Sequence, residues 1–419
     1  MPDPAREAAE MRVVIRMADQ AVPPGPEPGH AAAALRSQAE VTQAGLRAFL
    51  RAHGGRRLTP LPIINGVSAF IPHGLLPAVS RFPGVDRVVA DPGWRFPAAT
   101  PAGTGSPGWN LQSVHADALW ARGFRGQGVV AANMDTGVDV RHVDVADRWR
   151  GGDNSWFDPF TDSVEPYDPI GHGTQTLGIM LGGSGFGVAP GAQWIAARIY
   201  DDSGHSSLTV VHQAFFWLLD PDGDPATPDA PRVVNASWAI GDSVGCDLEF
   251  MPDVQRLTSA GILVVFPAGN AGPREGSGGS PADNPGSFAV AAVDRDGRVA
   301  SFSSRGPSAC HDGVFPHVAA PGMDIVTLDV SLPGIPQYAV VAGSSFAAPH
   351  VAGAAALLLS AFPSLSPAQL RWALTAGARD GDAPGPDARV GHGILDVAAS
   401  HVALQRAVAR GYLLHPPTD

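Results

Sequence analysis

Four polar residues of this sequence carry the functional groups that nucleophilic acyl transfer requires. They are the carboxylate of Asp135, the imidazole of His172, the side-chain amide of Asn270 and the hydroxyl of Ser345. A serine hydroxyl is a weak nucleophile at neutral pH and needs a base within hydrogen-bond reach. An imidazole can take that proton and return it to a leaving group, and a carboxylate can hold the ring in the required tautomer. These residue types predict a hydrolytic site if the fold brings them together.

Ser345 stands at the start of a helix that must be buried. The turn GSSFAAPH at 343–350 runs into VAGAAALLLSAF, which is apolar on nearly every face. The first turn of a helix has backbone N–H groups without internal partners, and a serine there suits a nucleophile whose reaction creates an oxyanion. A serine that only caps the helix would have the same local sequence. The rest of the chain must therefore decide between these two interpretations.

The other three polar residues also lie where predicted elements begin or end. Asp135 follows the apolar run 128–134, His172 opens a predicted helix, and Asn270 follows the run 262–266. Each of them alone could be a turn former or a surface residue. Active sites of parallel α/β sheets lie at the carboxyl ends of the strands. Four polar residues at such positions favour one shared site.

The elements that would position these residues alternate along the chain from residue 109. Continuous apolar strands between helices predict a parallel sheet covered on both faces, that is, a three-layer, doubly wound α/β fold with a mostly parallel sheet. The predicted strands are 128–134, 193–199, 232–238, 262–266 and 287–292. The predicted helices are 115–122, 172–182, 207–219, 250–260, 346–361 and 366–376.

A smaller unit precedes this fold. Strands 12–17, 65–71 and 85–90 alternate with helices 31–53 and 74–81, which predicts a small α+β domain of the ferredoxin-like, split βαβ type. The stretch PAATPAGTGSPG that follows has nothing to bury and is typical of a linker that proteases can cut. We therefore divide the chain into a domain at 1–96, a linker at 97–108 and a second domain at 109–419.

Composition excludes some classes of partner. The 419 residues carry a net charge of −12 and no lysine, which argues against a nucleic-acid partner. No apolar run is long enough for a membrane span. The first 17 residues lack the apolar core of a signal peptide, so an export signal was removed, the start is misassigned, or the protein stays inside the cell.

Cys246 and Cys310 can form one disulfide or none, and their spacing predicts no metal site.

The order Asp135, His172, Asn270, Ser345 is similar to that of the subtilisin-like serine proteases, the subtilase family. The motifs DTG, HGT, AGN and GSSFAAPHVAG at these residues resemble the family's motifs, although Phe346 stands where the family usually has Met. The resemblance covers roughly 109–400. The NASW motif at 235–238, SFSSRGPS at 301–308 and VAAPG at 318–322 extend it, the first two looking most like the bacillopeptidase F branch.

The resemblance implies a serine endopeptidase that works through an acyl-enzyme. Asp135, His172 and Ser345 would form the catalytic triad, and the Asn270 amide with the Ser345 N–H would form the oxyanion hole. The domain at 1–96 would be the propeptide of a self-processing zymogen and an inhibitor of the enzyme. Family members are typically secreted, so an extracellular protein is expected.

The resemblance also implies where a polypeptide substrate lies. It would add as an extended strand between two edges of the protein. The first edge includes Ser237, Trp238 and Ala239, and the second includes Ser203 and Gly204. The specificity pocket would be walled by the first edge, by 267–269, which includes Ala268 and Gly269, and by Gly279. The family usually has glycine at the position of Ala239, so the added methyl group narrows the pocket.

We expect no metal requirement, and calcium as a possible ligand only. Asp144 matches a ligand of the main calcium site of subtilisins, but the loop that supplies the other ligands is shorter here, so we expect that site to be missing. The insert 220–224 has acidic residues at alternate positions, as a hard cation prefers, but a solvated acidic loop has the same sequence. The expected partners are polypeptide substrates and the N-terminal domain, in a monomer without a membrane span.

Two other classes of hydrolase fit less well. An α/β-hydrolase would need a G-x-S-x-G turn and the order Ser, acid, His. A sedolisin would have glutamate in place of His172. The remaining alternative is a catalytically silent or permanently inhibited homologue that acts as a binding protein, and the sequence leaves this alternative open.

Overall fold

The computed structural model describes residues 10–20, 27–97, 100, 102–241, 244–333, 335–381 and 384–411. Its N-terminal part contains four strands and a long helix. The strands are β1 (Glu10–Met17), β2 (Arg56–Leu61), β3 (Gly66–Pro72) and β4 (Val85–Ala90). The helices are α1 (Pro28–Ala52) and α2 (Leu76–Val79), with 3₁₀ turns at Pro62–Ile64 and His73–Leu75.

The four N-terminal strands form one antiparallel sheet in the order β2-β3-β1-β4. This order is that of a ferredoxin-like unit. The sequence does not predict β2, because this strand lies at the sheet edge, holds the exposed Arg56 and Arg57, and contains Pro60, all of which weaken a strand pattern. Leu46, Leu50 and Ile15 are among the fully buried side chains of this domain's core.

The short strand β5 (Trp94–Arg95) ends the N-terminal part, and the larger fold follows it. Its strands are β6 (Val130–Asp135), β7 (Trp156–Phe157), β8 (Gln193–Arg198), β9 (His205–Ser206), β10 (Val233–Asn235), β11 (Leu263–Pro267), β12 (Phe288–Val293), β13 (Val318–Pro321), β14 (Ile325–Leu332) and β15 (Ile335–Val341). Its helices are α3 (Trp109–Ser113), α4 (Ala116–Trp120), α5 (His172–Leu181), α6 (Leu208–Trp217), α7 (Met251–Ser259), α8 (Ser344–Ala361), α9 (Pro367–Ala376) and α10 (Val397–Ala409), with a 3₁₀ turn at Ala146–Arg148.

Within the described residues, seven strands form the central sheet in the order β13-β12-β11-β10-β6-β8-β7, and every neighbouring pair is parallel. Successive residues of a strand face opposite sides, so Ala131 belongs to the core on one face and Ala132 to the core on the other. Helices α5 and α8 cover the first face, and α6 and α7 cover the second. The predicted three-layer α/β fold is confirmed.

Helix α8 is the one helix among the described residues that is long and apolar enough to cross a membrane. It is 83% buried inside the protein, where it packs against strands β10 to β13. Burial in the core therefore accounts for its composition.

The N-terminal domain packs against the outer helices of the larger fold. Ile63 and Ile64 are fully buried in the same hydrophobic cluster as α6 and α7. Asp91, which is 1% exposed, accepts hydrogen bonds from the N–H of Leu208 at 2.9 Å and the hydroxyl of Thr209 at 2.7 Å. A carboxylate at the start of α6 satisfies backbone donors that have no partner within the helix.

Cys246 and Cys310 form a disulfide bond across 64 residues of chain. The bond joins the loop between β10 and α7 to the loop that precedes β13. The sequence left this pairing open, because the two cysteines lie far apart along the chain and only the fold brings them together.

Candidate active site

Asp135 and His172 are held together at the carboxyl end of the sheet. Asp135 is the last residue of β6 and is 1% exposed. Its Oδ1 accepts the Nδ1–H of His172 at 2.8 Å and the N–H of Thr136 at 2.7 Å. Because the carboxylate is an acceptor, the ring proton lies on Nδ1 and Nε2 is left as the basic nitrogen.

A second buried carboxylate, which the sequence did not predict as part of the site, organises the turn before α5. Asp168 accepts hydrogen bonds from five donors. They are the N–H groups of Ile170 (3.1 Å), Gly171 (2.8 Å) and Thr174 (2.8 Å) and the hydroxyls of Thr136 (2.9 Å) and Thr174 (2.8 Å). Through these bonds Asp168 connects Thr136, the residue after Asp135, to the turn that precedes His172. The sequence did hold a signal for this role of Asp168, namely an acid shortly before a predicted helix that has a threonine in its first turn. Such acids accept hydrogen bonds from the N–H groups of the first turn, which have no partner within the helix.

The glycines beside Asp135 and His172 allow their two backbones to touch. A Cβ atom on Gly173 would lie 2.0 Å from the carbonyl oxygen of Gly137. A Cβ atom on Gly137, whose φ is +124°, would lie 2.0 Å from the carbonyl oxygen of Tyr167. Both positions therefore need glycine. Spatial contact between the two segments explains these motif glycines.

Ser345 is the second residue of α8 and is partly exposed. Its backbone carbonyl accepts the hydroxyl of Ser237 at 2.7 Å, which fixes the helix start against the end of β10. A serine that only caps the helix was the alternative interpretation of Ser345. Gly343 occupies the N-cap position instead, so Ser345 does not cap the helix.

The Asn270 side chain is oriented by Ser344. Its Oδ1 accepts the N–H of Ser344 at 2.8 Å and the hydroxyl of Ser344 at 2.9 Å. The hydroxyl of Ser344 in turn accepts the N–H of Gly269 at 3.2 Å. With its oxygen engaged, Asn270 has its amide N–H₂ group left to donate.

One cavity of about 440 Å³ is lined by both Ser345 and Asn270. The ring centroid of His172 lies 4.8 Å from that of Phe96, which also lines this cavity, and 5.2 Å from that of Phe346. Among the described residues, the hydrogen bond of His172 goes to Asp135, and none joins it to the Ser345 hydroxyl. Catalytic hydrogen bonds are often long before substrate binds and tighten in the reacting complex.

Most residues predicted for the specificity pocket line the same cavity. They are Ser237, Trp238, Ala239, Gly269 and Gly279. Ala268 is fully buried beside the cavity, and its N–H donates to the carbonyl of Val290 in the sheet. Ala239 is one of the residues that line the cavity.

The second predicted edge already carries a strand from the same chain. Trp94 and Arg95 pair antiparallel with Ser206 and His205, and the N–H of Phe96 donates to the carbonyl of Gly204 at 2.7 Å. Ser203 lies in the adjoining exposed turn, where its hydroxyl donates to the Asp201 carboxylate at 2.7 Å.

The linker then continues across the same cavity. Pro97 and Thr100 both line it, and Thr100 forms a bridge with Ala342, shortly before Ser345. Beyond it the N–H of Gly103 donates to the Asp324 carboxylate at 2.6 Å. Residues 98, 99 and 101 of the predicted linker lie outside the described residues.

Of the acidic residues considered for metal binding, Asp144 is paired with a tyrosine, whereas those of the 220–224 insert form a cluster. Asp144 accepts the hydroxyl of Tyr338 at 2.9 Å, and burial together with this bond raises the pKa of Tyr338. In the 220–224 insert, Asp220 and Asp222 come together with Asp229, each offering an oxygen within 4.8 Å of the others.

Comparison with known proteins agrees with this geometry. The profile of the Subtilase family matches residues 126–393. Bacillopeptidase F of Bacillus subtilis (strain 168) is 32% identical over 373 residues, which cover 80% of this chain and 25% of that protein. A thermostable alkaline protease of Halalkalibacterium halodurans is 34% identical over 269 residues, which cover 63% of this chain and 65% of that protein. Subtilisin E of B. subtilis is 31% identical over 330 residues, 76% of each chain. The chain thus spans a quarter of bacillopeptidase F and less than two thirds of the alkaline protease.

Proposed function

The chain belongs to the subtilase family of subtilisin-like serine proteases, and from this premise we propose that it is an endopeptidase that cleaves polypeptides through an acyl-enzyme on Ser345. The observation that carries the proposal is the Asp135–His172 hydrogen bond of 2.8 Å, next to a cavity that Ser345 and Asn270 line. A buried carboxylate, an oriented imidazole, a hydroxyl at a helix start and a free amide donor are the groups that acyl transfer needs.

In the first half of the reaction, the Ser345 Oγ attacks the carbonyl carbon of the scissile bond while its proton passes to His172 Nε2. The tetrahedral intermediate places its negative charge on the former carbonyl oxygen, where the Asn270 amide and the Ser345 N–H donate hydrogen bonds. Asp135 stabilises the imidazolium and does not itself take the proton. The C–N bond then breaks, His172 gives its proton to the departing amine, and an ester on Ser345 remains.

In the second half, water repeats the sequence on the ester. His172 takes a proton from water as its oxygen bonds to the acyl carbon, and returns it to Ser345 as the C–O bond breaks. The products are a carboxylic acid and the free enzyme. The substrate would lie as an extended strand on Gly204, where the chain's own Phe96 is now bound.

The N-terminal domain would be an intramolecular inhibitor whose removal activates the enzyme. Two contacts support this role: Asp91 binds the start of α6, and Phe96 lies on the edge that a substrate would use. Because Pro97 and Thr100 line the cavity together with Ser345, we expect the cut between Pro97 and Thr100. The disulfide fits an enzyme that acts outside the cytoplasm.

Purification of the full chain with and without Ser345→Ala tests this function. The parent chain is expected to yield a new N-terminus within the linker, to hydrolyse unstructured polypeptides and to react with a fluorophosphonate. Ser345→Ala is expected to stay intact and inactive. Ser360→Ala is the matched control, because Ser360 lies on the same helix and donates to the Leu357 carbonyl, far from the cavity.

A Ser345→Ala chain that still cuts itself and cleaves substrate would contradict the proposal. A parent chain that is cut by an added protease but neither reacts with the fluorophosphonate nor hydrolyses polypeptides would instead support the silent, binding homologue.

A further inference from the structure

We propose that Asp220, Asp222 and Asp229 form a calcium site, and that Arg36 of the N-terminal domain holds the place of the ion while that domain is attached. The three acids lie in the loop between α6 and β10. This loop is separate from the proposed catalytic residues and from the Asp144 position.

The spacing of the three carboxylates fits one ion. Each contributes an oxygen, and these atoms all lie within 4.8 Å of one another. Calcium binds oxygen ligands at 2.3–2.6 Å, so oxygens on opposite sides of one ion are about 5 Å apart. Because calcium takes six to eight oxygens, the remaining positions would be filled by backbone carbonyls and water.

Two of the carboxylates are buried and have oxygens without hydrogen-bond donors. Asp220 Oδ1 and Asp229 Oδ1 are both buried and unpaired, while the whole residues are only 3% and 7% exposed. Burying a charged oxygen without a partner is costly, and a cation removes that cost. The other oxygen of Asp229 accepts from Asn154 at 2.9 Å and from the N–H of Asp222 at 3.0 Å, which orients the carboxylate.

Arg36 marks where a cation binds. One nitrogen, Nη1, donates to Asp220 Oδ2 at 2.6 Å and to the carbonyl oxygen of Gly223 at 3.2 Å. A carboxylate and a carbonyl that converge on one positive nitrogen are also two ligand types of a calcium site. Arg150 is the second cation here, but it binds the backbone carbonyl of Asp229 and leaves the unpaired carboxylate oxygens without a donor.

Arg36 and calcium would compete, because both need the oxygens of Asp220 and Gly223. By linkage, calcium must weaken the hold of the N-terminal domain by the same factor by which that domain weakens calcium binding. Calcium would thereby favour departure of the domain after cleavage and stabilise the enzyme that remains. This consequence rests on the proposed function, whereas the ion site itself does not.

Calcium binding can be measured on the uncut chain, with Ser345→Ala as the parent so that no processing occurs. Terbium serves as the luminescent probe, excited through Trp217, whose carbonyl accepts the N–H of Asp220 at 3.0 Å. Calcium then displaces terbium. Arg36→Ala is expected to bind calcium at least tenfold more tightly than the parent, whereas Arg36→Lys, which keeps the positive charge, is expected to match the parent.

The acidic residues are tested in the Arg36→Ala chain. Asp222→Asn is expected to weaken calcium binding at least tenfold. Asp224→Asn is the matched control, since Asp224 is an exposed acid of the same loop outside the cluster. A calcium-dependent rise in the unfolding temperature that Asp222→Asn abolishes is the second expected readout.

Equal calcium affinity of the Arg36→Ala chain and the parent would overturn the proposal, as would full binding after Asp222→Asn or terbium that calcium does not displace. None of these measurements needs cleavage or activity. If the chain proves inactive but binds calcium as described, the proposed function fails and the ion site stands.

Discussion

The aromatic ring of Phe96 lies edge-on to the imidazole of His172, with 4.8 Å between the ring centroids. A second aromatic neighbour of Phe96 is Tyr200, with 5.1 Å between the ring centroids. Because the backbone of Phe96 also bonds Gly204, the segment that leaves the N-terminal domain covers the basic residue from the side on which a substrate strand is expected. We therefore expect these contacts of the uncut chain to keep a substrate away from His172.

Phe96→Ala is expected to weaken inhibition by the N-terminal domain about tenfold, because loss of a partly buried ring costs roughly 1.4 kcal/mol. The measurement is the lag before peptidase activity appears in the purified full chain. Arg95→Ala is the control, since Arg95 is exposed and its backbone pairing with His205 needs no side chain. Equal lags for Phe96→Ala and Arg95→Ala would argue that the ring does not hold the segment.

Asn270→Ala is expected to lower kcat by about 10²–10³ with little change in KM, because the amide would bind the oxyanion more strongly than the ground-state carbonyl. Steady-state kinetics on a peptide substrate measure both constants. Ser344→Ala removes one of the two hydrogen bonds to Asn270 Oδ1 and leaves the one from the backbone N–H. This variant should therefore lower kcat less than Asn270→Ala does. A change confined to KM would remove Asn270 from the oxyanion hole.

Asp168→Asn is expected to lower both kcat and the free energy of unfolding, the latter by about 2–4 kcal/mol, since an amide cannot accept from all five donors of Asp168. Asp168 does not touch the reacting atoms, and its role is to position the turn at His172. Thermal unfolding in the Ser345→Ala chain gives the stability, and kinetics in the active chain give kcat. Asp162→Asn, an exposed acid of the same loop, is the control.

If Asp168 only stabilises the fold, activity at low temperature should equal that of the parent while the unfolding temperature falls. A positioning role predicts a lower kcat even where the variant is fully folded.

His212 is expected to make the stability of the chain depend on pH. Burial opposes its protonation, but the carboxylates of Asp253 at 2.8 Å and Glu249 at 3.2 Å outweigh burial and raise the pKa of His212 to about 9. Because the folded-state pKa exceeds the unfolded value of about 6.5, the stabilisation is complete below pH 6.5 and is lost as pH rises through 9. The loss amounts to at most about 3 kcal/mol.

Unfolding of the Ser345→Ala chain between pH 6 and 10 measures this effect. His212→Gln should flatten the decline above pH 6.5, and His73→Gln, at an exposed position, should leave it unchanged. Glu249 also accepts a hydrogen bond from Arg87 of the N-terminal domain at 2.6 Å. An unchanged pH profile in His212→Gln would contradict the assignment.

The sequence alone was sufficient to predict the α/β fold, the N-terminal α+β unit and the family. The hydrophobic periodicities of strands and helices are local properties of the sequence. Motifs such as the DTG of Asp135 and the HGT of His172 can be recognised because each needs only a few adjacent residues. The strand Arg56–Leu61 was missed because polar edge strands have no distinct pattern. The catalytic roles of Asp135, His172, Asn270 and Ser345 and the role of the N-terminal domain remain predictions for the experiments above.

Only the tertiary structure decided which distant residues meet. The chain order cannot show that Arg36 binds Asp220, 184 residues away, or that Cys246 bonds Cys310. Nor can it show that the ring of Phe96 lies on His172. Such contacts depend on how whole elements dock, because docking is determined by the summed burial of many side chains. Sequence spacing shows which residues are neighbours along the chain, whereas the contacts between the two domains join residues that are far apart in it.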